Sequence, residues 1–184
     1  FATTDPVTLT QADFAEAKAT PDVATSKGIW YHEDAPDKLY ILGNGGSYVL
    51  DGEINLNDGA GEIELVNNSL TLNSNVVLTG GIKTESSTNN ILSGSGTVSG
   101  TLNQYGGTMT VNGSIIFNGK ATSANADMTI INGGTFNNGF EGTQNTEVTI
   151  NGGIFRSNAV LAAAIIVSQY STFTINDGTF IGDS

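Results

Sequence analysis

The chain has 184 residues, no cysteine, 18 acidic against six basic side chains, and a formal net charge of −12 at pH 7. Without cysteine there is neither a disulfide framework nor thiolate chemistry. The shortage of cations argues against nucleic acid, whose binding needs basic groups to displace counterions, and against docking to anionic membrane surfaces.

The N-terminal stretch differs in texture from the rest. Residues 1–38 read as a cap and linker, and residues 39–184 as a repetitive β domain. Helix formers run from Thr10 to Lys18, and Thr10 followed by Asp13 resembles a capping box, so a short helix is expected over an open first coil. Trp30, Tyr31 and Tyr40 are expected to pack between cap and first coil, with a sugar-stacking platform as the alternative. His32 is the sole histidine, which leaves no His cluster for a metal and no support for a Ser-His-Asp triad. Lys38 to Leu42 reads as the first strand. The turn Gly43 to Gly46 lacks the Lys-Ser/Thr of a phosphate-binding loop.

From Leu50 onward a ladder emerges. The phrases Thr129-Ile130-Ile131-Asn132-Gly133-Gly134-Thr135-Phe136, Val148-Thr149-Ile150-Asn151-Gly152-Gly153-Ile154-Phe155 and Phe173-Thr174-Ile175-Asn176-Asp177-Gly178-Thr179-Phe180 repeat a strand, a turn and a phenylalanine. One apolar column reads Leu72, Leu92, Val111, Ile131, Ile150, Ile175. A second reads Leu78, Val98, Phe117, Phe136, Phe155, Phe180, with Leu50 and Leu56 as an earlier rung of the two. A polar column, Asp51, Asn73, Ser93, Asn112, Asn132, Asn151, Asn176, lies between them and is placed to form an amide ladder along the axis. Ile63/Leu65, Ile82 and Thr101-Leu102 mark a third strand set. Repeats of about 20 residues bury their apolar faces only by stacking on their neighbours. Three short strands per coil are the pattern of a parallel β-helix; a β-sandwich explains the alternation but not the fixed order.

The chemistry-bearing residues are sparse. Asp51, Glu53, Asp58, Glu62 and Glu64 offer carboxylates for hydrolysis, which needs a pair at a defined separation, yet such residues also decorate any acidic solenoid. Calcium on oxygen ligands stays open at Asp34/Asp37 or Asp51/Asp58, although the EF-hand pattern is absent; no other cofactor is expected. Arg156 reads as a turn residue or a partner for Glu141 or Glu147. Outward Thr71, Thr110, Thr149 and Thr174 resemble an ice-binding array, but Ile91 and Ile130 interrupt it.

The step from Ile150 to Ile175 is longer than its neighbours. The extra length includes the run Ala159 to Val167, too short to span a bilayer as a helix of about 20 residues. Insertions in solenoids map to loops on one face, often the binding face, which makes Arg156, Gln169 and Tyr170 a candidate binding insertion. No capping helix follows Phe180, so the solenoid is expected to continue or to be covered by another molecule. Phe173, Ile175 and Phe180 then form a candidate assembly edge.

At the Ile-Asn-Gly-Gly-x-Phe phrases the chain resembles bacterial and phage surface proteins built as right-handed parallel β-helices, an architecture shared with the pectate-lyase-like group. The resemblance covers roughly Leu50 to Asp183. It implies an all-β right-handed parallel β-helix with a short N-terminal capping helix, at an extracellular or cell-surface location. That group includes lyases, hydrolases, tailspikes, adhesins and spacers, and fold does not select among them. A lyase would place an acidic calcium cluster beside a base, and Arg156, Lys83 and Lys120 have no such company. The expectation is a non-enzymatic structural or adhesive module acting through a rigid lateral surface or end-to-end assembly, whose partners are a glycan, a cell-surface protein or copies of itself; the alternative is a polysaccharide-binding or polysaccharide-cleaving domain of the pectate-lyase-like type.

Overall fold

The computed structural model describes residues 5–33, 38–56, 59–85, 88–157 and 163–182. The chain forms a parallel β-solenoid of about six turns, with one short helix among the described residues, α1 (Gln11–Ala19). Among the described residues three sheets run along the axis, of eight, seven and eight strands. The first sheet extends from Val7–Leu9 and Ser47–Leu50 to Thr172–Ile175, the second from Glu53–Asn55 to Thr179–Ile181, and the third from Ile29–His32 and Leu39–Leu42 to Ile165–Val167. From Ser47 onward each coil visits them in that order.

Alternation sets the faces. In Glu147–Ile150 the Val148 and Ile150 side chains are buried while Thr149 lies between them on the outer face, the two-residue period of a strand. The second apolar column stacks Phe117 on Phe136 at a centroid distance of 4.9 Å, Phe136 on Phe155 at 4.8 Å and Phe155 on Phe180 at 5.2 Å, all with nearly parallel planes. The strand spacing of about 4.8 Å is what holds consecutive rings at this separation.

Two rungs differ from the sequence reading. Leu92 pairs with Leu70, and the partner of Leu72 is Gly94. The first apolar column is therefore Tyr48, Leu70, Leu92, Val111, Ile131, Ile150 and Ile175. Likewise Ile54, not Leu56, faces Leu78. A side chain at Gly94 would overlap the Leu72 carbonyl, and this glycine has φ +105°, so the extra length of strand Asn89–Gly94 ends at a site only glycine fills.

The asparagines form directional ladders. Asn132 Nδ2 donates to Asn112 Oδ1 at 2.9 Å, Asn151 to Asn132 at 2.9 Å and Asn176 to Asn151 at 2.7 Å. Asn73 donates to Asp51 at 3.2 Å. Ser93 stands outside the ladder because it pairs with Thr71 within the first sheet. In each of these pairs the donor lies on the later coil and points back, so Asp51, at the earliest of them, needs only to accept.

Polar groups also enter the interior. On the inner face of the third sheet, Gln104 accepts from Ser123 at 3.2 Å and also from Thr129, and it donates to the Gly107 and Met128 carbonyls. Ser123 also shares a hydrogen bond with Thr146 at 2.8 Å. The network satisfies these buried groups, as a low-dielectric interior requires. One coil later Gly142 occupies the same position and leaves room for the Phe173 ring, with which a side chain there would collide.

The N-terminal segment is woven into the sheets. Val7–Leu9 pairs in parallel with Ser47–Leu50, and Ile29–His32 pairs antiparallel with Leu39–Leu42, so strands precede the one expected at Lys38 to Leu42. Between them α1 buries Phe14 and Ala17. Phe14 meets Tyr40 edge-on at 5.4 Å, and Tyr31 lies 4.8 Å from Tyr40. Gln11 closes the first edge of the second sheet: its side-chain amide receives the Asn55 N–H at 2.6 Å and donates to the Asn55 carbonyl at 3.3 Å. That mimics a neighbouring strand on an edge that would otherwise be open.

Candidate functional site

An open groove of about 710 Å³ lies on the outward face of the third sheet. It runs along the solenoid axis from strand Glu62–Leu65 to strand Phe140–Thr143, about 19 Å at the strand spacing of about 4.8 Å. Inward Ile63, Ile82 and Leu102 anchor these strands in the core, and parity then turns Glu62, Lys83, Asn103 and Tyr105 outward. Along one wall the corner glycines stack so closely that a side chain at Gly100 would run into the Gly80 backbone. That wall is therefore main chain.

The groove floor is a fixed polar cluster. Glu62 Oε1 accepts from the Thr101 hydroxyl at 3.0 Å and from Asn103 Nδ2 at 3.3 Å, while Asn103 also donates to Thr101 at 3.0 Å. Glu64 and Lys83 are cross-strand neighbours, and Lys120 forms an ion pair with Glu141 farther along. Tyr105 stands at the groove with 52% of its surface exposed, beside the small residue Ala124. Chemically this is an aromatic platform next to hydrogen-bonding groups that their neighbours hold in place.

A second concavity of about 780 Å³ lies where the cap meets the first coils, lined by Val7, Lys27, Trp30, Asn44 and Tyr48. Burial pushes the Tyr48 phenol up, partly offset by the hydrogen bond from the Gly43 N–H at 3.1 Å. Of the three aromatics singled out in sequence, Tyr31 and Tyr40 are buried in the cap and Trp30 is half-buried at this cavity. His32 Nδ1 sits 2.6 Å from Asp22 Oδ1.

The assembly-edge residues come together at the last described coil. Phe173 packs edge-on against Phe140 at 6.2 Å, Phe180 stacks on Phe155, and Ile175 and Phe180 remain 50% and 42% exposed. The insertion residues do not converge. Arg156 ends a strand of the second sheet, whereas Gln169 and the 93% exposed Tyr170 form a left-handed turn between the third and first sheets. Of the long apolar run, Ile165–Val167 forms a strand of the third sheet, and residues 158–162 lie outside the described residues. Glu141 pairs with Lys120, not with Arg156.

Among the described residues no group of three His, Asp or Glu side chains is placed to hold a metal ion; Asp34, Asp37 and Asp58 lie outside the described residues. No described helix is long and apolar enough to cross a membrane. The threonine array is thinner than its spacing implied: Thr110, Thr149 and Thr174 share a column with Ile91 and Ile130, while Thr71 belongs to the neighbouring one.

Sequence reasoning named Glu62, and Thr101 only as part of a strand, but missed Asn103 and Tyr105. Their outward parity followed from Ile82 and Leu102, but their gathering into one groove depends on how coils stack. Compared with protein-family models, with curated proteins and with solved structures, the chain matches none; what the structure supports is the parallel β-solenoid architecture.

Proposed function

We propose that this chain is a non-enzymatic, extracellular β-solenoid module of the adhesive or structural kind that recognises a glycan along the outward face of its third sheet. The observation that carries the reading is the exposed Tyr105 beside the Glu62–Thr101–Asn103 cluster, mounted on strands anchored in the core, with Thr101 immediately before one of them. An aromatic face covers the apolar side of a sugar ring, while fixed donors and acceptors read its hydroxyls. Sites on strands are held more tightly than sites on loops. The non-enzymatic part is supported by the hydrogen bonding of Glu62 to Thr101 and Asn103, which suits a fixed acceptor.

The test is a glycan array with the purified chain and with Tyr105→Ala. Saturable binding lost in the variant, with an unchanged β-sheet spectrum, is the expected result. Binding equal in both proteins, or none at all, would remove the groove as the recognition surface. Release of new reducing ends by the wild type but not by Glu62→Gln would make the module an enzyme.

Self-association is a second reading, favoured by the exposure of Ile175 and Phe180 at the strand edge of the last described coil. The opposite end is closed by α1 and the Gln11–Asn55 hydrogen bonds, so contact between two C-terminal edges fits better than head-to-tail stacking. Light scattering across a wide concentration range separates a monomer from such a dimer.

A further inference from the structure

The outward face of the third sheet does not end at the groove. Trp30 faces Ile41 across the antiparallel pair, Ile41 faces Glu64, and the column continues in register through Lys83, Asn103 and Thr122. Trp30 thus heads the column that crosses the groove floor, and Tyr105 stands two residues from Asn103 on the same face. Four strand spacings separate the strands of the two aromatic residues, about 19 Å at about 4.8 Å each. Trp30 also borders the cap cavity of about 780 Å³, so space for a ring adjoins the indole.

We infer that Trp30 is a second aromatic subsite on the face of Tyr105, and that the ligand is a linear, uncharged glycan lying parallel to the solenoid axis across both. This rests on the glycan reading of the groove and adds the direction, the length and the charge class of the ligand. A mono- or disaccharide is too short to reach from one ring to the other; an extended oligomer crosses the strip of Ile41, Glu64, Lys83 and Asn103 between them. The charge class follows from the surface. Glu62 and Glu64 accompany Lys83 on this strip, and the chain carries a net charge of −12. A polyuronate, with a carboxylate on every sugar, meets net repulsion here, whereas a neutral chain loses nothing electrostatically.

The experiment is calorimetric titration with neutral β-1,4-glucan, β-1,4-mannan, β-1,4-xylan and α-1,4-glucan oligomers, from disaccharide to hexasaccharide, with oligogalacturonates of equal length as charged comparators. Affinity for the neutral ligand that binds is expected to rise with length until the oligomer spans both rings. Trp30→Ala is expected to weaken hexasaccharide binding about tenfold and to leave disaccharide binding at Tyr105 unchanged, which also shows that the variant is folded. Trp30→Phe should recover part of the loss. Length-independent affinity, or a hexasaccharide that binds Trp30→Ala as tightly as wild type, would overturn the second subsite while the groove reading stands. Tighter binding of oligogalacturonate would overturn the charge class. Binding of no oligomer, neutral or charged, would overturn the inference together with the glycan reading on which it rests.

Discussion

Lys27 Nζ lies 2.8 Å from one carboxylate oxygen of Asp13 and 2.9 Å from the other, and it donates to the Thr8 carbonyl at 2.8 Å. The same carboxylate receives the Thr10 backbone N–H at 2.8 Å and the Thr10 hydroxyl at 3.1 Å. One buried acidic group therefore ties the start of α1, the first strand and the loop that follows the helix. Burial alone would raise its pKa. The hydrogen bonds from Lys27 and Thr10 outweigh burial and hold it below the ordinary value of 3.8.

A depressed folded pKa means that the stabilisation is complete above the unfolded value and fades as pH falls through the folded one. The cap is therefore expected to loosen below about pH 4. Asp13→Asn should remove about 1–2 kcal/mol at neutral pH and flatten the acid limb. Chemical denaturation of both proteins between neutral and acid pH checks this; parallel curves would show that Asp13 does not govern the acid response.

The ladder's direction makes its rungs unequal. Asn132 both donates and accepts, so Asn132→Asp sets a carboxylate against the Asn112 carbonyl oxygen and should cost about 1–2 kcal/mol. Asp51 is only an acceptor for Asn73, and Asp51→Asn is expected to be nearly neutral. Urea midpoints of the two variants decide, and equal losses would refute the directional account.

Phe136 is sandwiched between Phe117 and Phe155 and is also met edge-on by Phe140 at 5.8 Å. Phe136→Ala should destabilise by about 3–5 kcal/mol, the range for a large buried aromatic. Among the described residues Phe180 stacks on Phe155 alone and is 42% exposed, so Phe180→Ala should lose much less. Thermal melts compare the two directly.

At the C-terminal edge, Phe180→Arg together with Ile175→Lys places charge on exposed apolar surface. If two such edges associate, the mass measured by light scattering at high concentration should fall to that of a monomer. An unchanged mass distribution would locate any association elsewhere.

Much of this architecture was legible in the chain itself. The Ile-Asn-Gly-Gly-x-Phe phrases marked the strands, the turn and both apolar columns from Val111 onward, because a solenoid repeats one local solution and each copy confirms the others. The amide ladder was legible for the same reason. Earlier rungs were not. Leu92 is matched to Leu70 and Leu78 to Ile54, each two residues from the partner that spacing indicated. A slip of two residues keeps every side chain on its original face, so alternation alone cannot detect it. Only the stacked backbones, with Gly94 against Leu72, fixed the register. The groove has the same origin. Glu62, Thr101, Asn103 and Tyr105 are each ordinary outward residues in sequence, and about two coils separate Glu62 from the others. The sequence determined the repeating unit and which side chains face the core. The stacking of coils decided which outward side chains meet, since lateral contact depends on register summed over several turns.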